Sequence, residues 1–142
     1  MSMKMRMYRG MRGITLLELM VVVVILGILL SIAYPNYRQF AARAKRTEAK
    51  ALLLEIAAVQ ERFYLNNNRY ASMGELGFDD PQVTDSGSYS VTIIGNDANN
   101  YTATATYALS DDEGSKCTSF TIDGRGSKSS TGSIANCWTQ QR

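Results

Sequence analysis

The first long feature of the chain is an apolar run at residues 14–34, ITLLELMVVVVILGILLSIAY, which carries one ionisable side chain, Glu18. As a helix this run would be about 31 Å long, enough to cross a bilayer. From Arg38 to about Asn66 the pattern becomes periodic. Leu52, Leu53, Ile56, Val59 and Phe63 recur at helical spacing in a segment rich in Ala, Leu, Glu, Lys and Arg, which predicts a long amphipathic helix with one face packed beneath a sheet. Asn66, Asn67 and Asn68 end that periodicity, and residues 69–88, with their Gly, Asp and Pro, read as an irregular connection. A two-residue period comes next. Tyr89 to Ile94 and Tyr101 to Leu109 are rich in Tyr, Thr, Val and Ile and predict two strands, joined by the turn-rich link 95–100 as a hairpin. Cys117 to Ile122 predicts a third strand, with a turn over residues 123–126. The expected class is therefore α+β, one long helix on an antiparallel sheet of three or four strands, because two strands alone would be marginal.

Composition narrows the chemistry. The 142 residues include no histidine and only two cysteines, Cys117 and Cys137, so the commonest general base, the commonest metal ligand and any Cys-x-x-Cys cluster are all missing. No catalytic, metal or cofactor site is expected, and the chain is not expected to be an enzyme. Charge has to be split at the apolar run. Lys4, Arg6, Arg9 and Arg12 precede it, and the eleven remaining basic residues face thirteen acids, a formal charge of −2 from Ile14 onward. The basic character of the whole chain thus belongs to its first residues and gives no reason to expect nucleic-acid binding. After Arg69 the only bases are Lys116, Arg125, Lys128 and Arg142. Arg38, Arg43, Lys45, Arg46 and Lys50 read as a solvated basic face suited to lipid head groups or acidic patches on neighbouring subunits. Asp111-Asp112-Glu113-Gly114 reads as a solvated turn, since it lacks the alternating ligand spacing of a calcium loop.

Three readings of the apolar run compete. Ser31-Ile32-Ala33 offers the small-x-small pattern of a signal-peptide cleavage site, which would leave a secreted chain starting near Tyr34. A plain anchor is the second. Neither explains Glu18, whose carboxylate costs roughly 2.5 kcal/mol or more in lipid unless it is paired.

The third reading rests on Arg12-Gly13 followed by Ile14-Thr15-Leu16-Leu17-Glu18. This stretch resembles the type IV prepilin motif, in which a dedicated peptidase cuts after the glycine and methylates the new N-terminus. The resemblance implies cleavage between Gly13 and Ile14, N-methylation of Ile14, and a role for Glu18 in assembly. The family most often has phenylalanine where Ile14 stands. Were the helix to begin at Ile14, Ile14 and Glu18 would lie at i and i+4 on one face, and the amine freed by cleavage, on an incoming subunit, is a natural partner for Glu18 of its neighbour. Ala33-Tyr34-Pro35-Asn36-Tyr37 is similar to the pilin segment in which a proline bends the helix; a kink at Pro35 is expected even without the family, the alternative being that it merely ends the membrane helix. The implied organisation is a leader at 1–13, a hydrophobic transmembrane and assembly helix at 14–37, and a globular pilin head at 38–142.

Cys117 and Cys137 flank a Gly/Ser-rich stretch, GRGSKSSTGSIAN, too poor in apolar residues to hold itself in place. They form either one disulfide, worth about 3 kcal/mol in the chain-entropy model, or two free thiols. The pair resembles the C-terminal disulfide loop of type IVa pilins, and Cys137-Trp138 is similar to minor pilins of the PilE type. The resemblance implies a structural pilus subunit, minor rather than major, serving pilus biogenesis, twitching motility or adhesion. Its expected partners are other pilin subunits, the prepilin peptidase, the inner-membrane assembly machinery and membrane lipid before assembly, with no nucleic acid. Its expected place is the inner membrane of a Gram-negative bacterium with the head in the periplasm, and then the extracellular pilus. A type II secretion pseudopilin and a filament-tip pilin that binds DNA or a receptor are the alternatives.

Overall fold

A computed structural model describes residues 13–139. Its elements, in order, are α1 (Leu16–Asn67), a 3₁₀ turn (Gly74–Leu76), β1 (Gln82–Val83), β2 (Tyr89–Ile94), β3 (Thr102–Tyr107), α2 (Glu113–Lys116), β4 (Ser119–Asp123) and β5 (Lys128–Thr131). The chain divides into two compact units, one reaching to Arg38 and one running from Gln39.

In the first unit the helix leaves its apolar surface open. Every large apolar side chain from Ile14 to Ile32 is between 49% and 78% exposed, so these residues need lipid or other protein around them. Pro35 lies inside α1, and the helix does not end there. Asn36 comes next, its Nδ2 donating to the Ile32 carbonyl at 3.2 Å, and the Ser31 hydroxyl donates to the Ile28 carbonyl at 2.7 Å. Neither bond reaches the Ser31 carbonyl, the acceptor four residues back that Pro35 leaves without its backbone donor.

In the second unit α1 covers a five-stranded antiparallel sheet ordered β1-β2-β3-β4-β5. The two-residue period sorts the strands cleanly. Tyr89 and Val91 of β2, Ala103 and Ala105 of β3, and Phe120 and Ile122 of β4 are buried, while Ser90, Thr92, Thr102, Thr104, Thr106, Ser119 and Thr121 alternate with them on the other face. Register aligns these residues in rows, Ser90 with Thr106 and Ser119, Thr92 with Thr104 and Thr121. The helix contributes Ala49, Leu53 and Ile56 to the same core, together with Tyr70, Met73 and Tyr101. Alanines at 49, 103 and 105 lower the bulk at the seam, consistent with close approach of helix and sheet.

Cys117 and Cys137 form a disulfide, with both residues fully buried. The segment it ties down closes one sheet edge. The Trp138 indole N–H donates to the Ser129 carbonyl at 2.5 Å, the Cys137 N–H donates to the Ser130 hydroxyl at 3.1 Å, and Lys50 Nζ donates to the Trp138 carbonyl at 3.0 Å. Gly132 permits this path. Its φ of +140° disfavours an L side chain, and a Cβ there would collide with the Lys116 carbonyl.

The pattern-based expectations need four corrections. The sheet has five strands, because β1 and β5 are short edge strands whose residues, Gln-Val and Lys-Ser-Ser-Thr, carry no buried alternation to reveal them. Residues 69–88 contain the 3₁₀ turn and β1 and are not wholly irregular. The buried face of α1 runs through Arg46, Ala49, Leu53, Ile56 and Gln60, whereas Leu52, Val59 and Phe63 are only half-buried. Finally, the acidic segment 111–114 is no solvated turn: Glu113 begins α2 and is buried against Arg46.

Candidate functional site

The N-terminal motif has a defined local structure. Thr15 stands just before α1, and its hydroxyl accepts the Glu18 N–H at 3.2 Å while its carbonyl accepts the Leu19 N–H at 3.2 Å. Thr15 is therefore the cap of the helix, and Glu18 falls in the first turn, where the free N–H groups favour a negative charge. Thr-Leu-Leu-Glu also has the spacing of a capping box, a signal in the sequence that the cost of the Glu18 charge in lipid overshadows. Gly13 and Ile14 lie outside the helix and are exposed, so the Gly13–Ile14 bond sits ahead of a capped helix. Ile14 is 75% exposed. Lys4, Arg6, Arg9 and Arg12 fall outside the described residues.

A second constellation holds the β3–β4 connection to α1. Arg46 Nε and Nη2 both converge on Glu113 Oε1, and both side chains are buried. Lys116 Nζ lies 3.8 Å from the other Glu113 oxygen. One position earlier on the helix, Lys45 Nζ meets the Tyr107 hydroxyl at 3.2 Å and Asp111 at 3.3 Å, while the Tyr107 hydroxyl donates to Asp111 at 2.7 Å. The Tyr107 hydrogen bond, followed by the Glu113 N–H and Lys45, holds the Asp111 carboxyl below its usual range. Burial, then the bond to Asp111, pushes the Tyr107 phenol up. Three of the five bases assigned to a solvated face, Lys45, Arg46 and Lys50, are therefore structural.

Three further lysines among the described residues lie near the disulfide. Lys50 lies 5.5 Å from the Phe120 ring centroid, Lys128 lies 5.3 Å from that of Trp138, and Lys116 precedes Cys117. Burial, with Arg46 nearby, lowers the Lys50 ammonium pKa.

A capped N-terminal helix with an exposed apolar surface, continuing into a head whose antiparallel sheet is closed by a C-terminal disulfide, defines the pilin fold. The prokaryotic N-terminal methylation motif matches residues 8–34, and the family described as "Type IV minor pilin ComP, DNA uptake sequence receptor" matches residues 35–121. The chain belongs to this type IV minor pilin family.

Its curated relatives match over part of its length. The type IV major pilin PilA of Myxococcus xanthus is 47% identical over 68 residues, which cover 47% of this chain and 31% of that protein. PilE1 of Neisseria gonorrhoeae is 36% identical over 84 residues, 58% of this chain and 39% of that protein. The type II secretion system core protein G of Pectobacterium carotovorum is 43% identical over 61 residues, 43% of this chain and 39% of that protein. The chain thus spans about a third of the length of these curated relatives. The crystal structure of the non-core minor pilin PilV of Neisseria meningitidis superposes with a TM-score of 0.53 at 19% identity, covering 70% of this chain and 95% of that one, a likeness of fold.

Proposed function

We propose that the chain is a structural minor subunit of a type IV pilus, cut between Gly13 and Ile14, N-methylated on Ile14, and built into the filament through α1. The observation that carries this reading is the junction itself: an exposed Gly13–Ile14 bond, a Thr15-capped helix, Glu18 in its first turn, and an exposed apolar helix surface. Cleavage leaves an amine on Ile14, the cation that Glu18 of a neighbouring subunit needs in a lipid-like environment. The partners in this scheme are other pilins, the prepilin peptidase, the assembly machinery and, before assembly, membrane lipid, with the head in the periplasm of a Gram-negative cell. The chain performs no catalysis; chemistry is done to it.

Intact mass and N-terminal sequencing of the protein from its native membrane test the scheme. A chain starting at methylated Ile14 is expected, and one starting near Tyr34 would overturn the reading. Glu18→Ala is expected to remain in the membrane yet be excluded from filaments, and normal incorporation would count against charge pairing.

A second reading, DNA capture, is favoured by the family's description as a DNA uptake sequence receptor. Positive charge in the head is sparse, but Lys50, Lys116 and Lys128 gather near Trp138 and the disulfide. Binding to duplex DNA across a salt series decides: each phosphate contact contributes about 0.9 to the log–log slope. A slope that drops by about one contact in Lys128→Ala would support capture, and a flat response in the wild type would exclude it.

A further inference from the structure

At the C-terminal end of α1 three stretches of chain meet: residues 64–70, the β2–β3 link 95–100 and the β4–β5 turn 123–126. They are joined by specific bonds. The Tyr70 N–H donates to the Asp97 carbonyl at 3.1 Å, the Gly124 N–H donates to Asn100 Oδ1 at 2.9 Å, and the Tyr70 hydroxyl donates to the Gly124 carbonyl at 3.3 Å. Beneath them lies a ladder of rings, Tyr64 on Tyr70 and Tyr70 on Tyr101, with both centroid separations 4.8 Å. Tyr70 and Tyr101 are buried and Tyr64 is half-buried. Glycine at 124 admits the close contact, since a Cβ there would come within 3.0 Å of the Tyr70 hydroxyl end. The 95–100 link is braced from within, with Asp97 Oδ1 accepting the N–H groups of Asn99 and Asn100 at 2.7 and 2.8 Å. The result is a supported platform.

Exposed amides surround this platform. Asn66 and Asn67 each donate one amide hydrogen to the carbonyl four residues back, at 3.0 and 2.9 Å, which fixes the side chains and leaves each Oδ1 and a second N–H for an outside partner. Asn96 and Asn99 are exposed on the facing link. The charge around them nearly cancels. Glu61, Glu75, Asp97 and Asp123 stand against Arg62, Arg69 and Arg125, and Arg69 is tied to Glu75 at 2.5 Å. A phosphate polymer finds no positive excess here.

We propose that this asparagine-rimmed platform binds a neutral, hydroxyl-rich polysaccharide. Each amide offers a donor and an acceptor side by side, which matches neighbouring sugar hydroxyls, each of which also both donates and accepts. The half-exposed Tyr64 ring and the exposed Leu65 and Ile94 side chains supply apolar surface for the C–H faces of sugar rings. Rigid Tyr with Asn66 and Asn67 held by their backbone bonds is also a low-entropy composition for a contact surface. The lack of net positive charge disfavours a polyanion. A weak single site would gain from repetition wherever several copies face one polymer.

The test uses the full mature chain in detergent, applied to immobilised dextran, mannan and chitin, with duplex DNA as the anionic comparison and a salt series throughout. Retention on at least one neutral polymer, independent of salt and competed by the same soluble sugar, is expected. Asn67→Ala/Asn96→Ala should weaken that retention about tenfold, as loss of two hydrogen bonds implies, with unchanged thermal melting. Asn99→Ala, which removes an exposed side chain on the same rim, serves if the double variant melts early, and should weaken retention several-fold. No retention on any of the three neutral polymers, retention on DNA alone, or equal retention by wild type and a folded variant would each overturn the proposal.

Discussion

Replacing Glu113 by alanine tests the least expected feature of the head. In the native fold Arg46 directs Nε and Nη2 to one Glu113 oxygen, and both residues are about 95% buried. Alanine would strand the Arg46 guanidinium inside the protein, while Lys116, exposed by about half, can turn to solvent. Removing one partner of a buried pair costs about 3–5 kcal/mol, a large share of the roughly 5–15 kcal/mol that holds a small domain together. At about 4–8 °C per kcal/mol for a domain near a hundred residues, the melting temperature should fall by more than about 12 °C. Arg46→Met/Glu113→Leu removes both charges and should recover most of the loss, because the pair's attraction is largely offset by desolvation. Circular dichroism melts and urea titrations of the mature chain in detergent give both numbers. A Glu113→Ala variant within about 1 kcal/mol of wild type would show that the pair is not buried and interdependent.

Other perturbations separate the remaining features. Cys117→Ser should lower stability by about 3 kcal/mol, seen as a reduced urea midpoint, from the loop entropy restored to the unfolded chain. Gly132→Ala should destabilise at least as much as an ordinary core error, since it combines a positive φ with a backbone collision; expression and melting would show it, and a neutral effect would deny that path for the chain. Asp111 titrates below its ordinary 3.8, so its contribution is fully present above about pH 4 and is lost as pH falls through the depressed folded value. The stability gap between wild type and Asp111→Asn should therefore be constant at higher pH and close on acidification, as read from melts across pH.

Much of the fold is legible because the chain states its periods plainly. The shift from an unbroken apolar run to helical spacing and then to alternation at Thr102–Tyr107 places α1 and the central strands within a few residues of where they lie. The N-terminal methylation motif that spans Gly13, Ile14 and Glu18 is legible from its residues, and the Cys117–Cys137 disulfide from the loop it flanks. What escapes depends on partners distant in sequence. Arg46 looks solvated among five bases until α2 brings Glu113 to it, and Gln60 looks polar and external until Ala71 takes both ends of its amide, at 2.7 and 2.8 Å. β5 is hidden because its side chains say nothing of burial; its pairing with β4 and the indole of Trp138 define it.

That indole has a consequence for crowded arrangements of the head. A sheet edge with open carbonyls recruits further strands, and many copies held side by side would make such recruitment hard to avoid. Here one border has its Ser129 carbonyl taken by the Trp138 indole, and the other offers only Gln82 and Val83. Each edge thus offers a neighbouring head little open backbone to pair with.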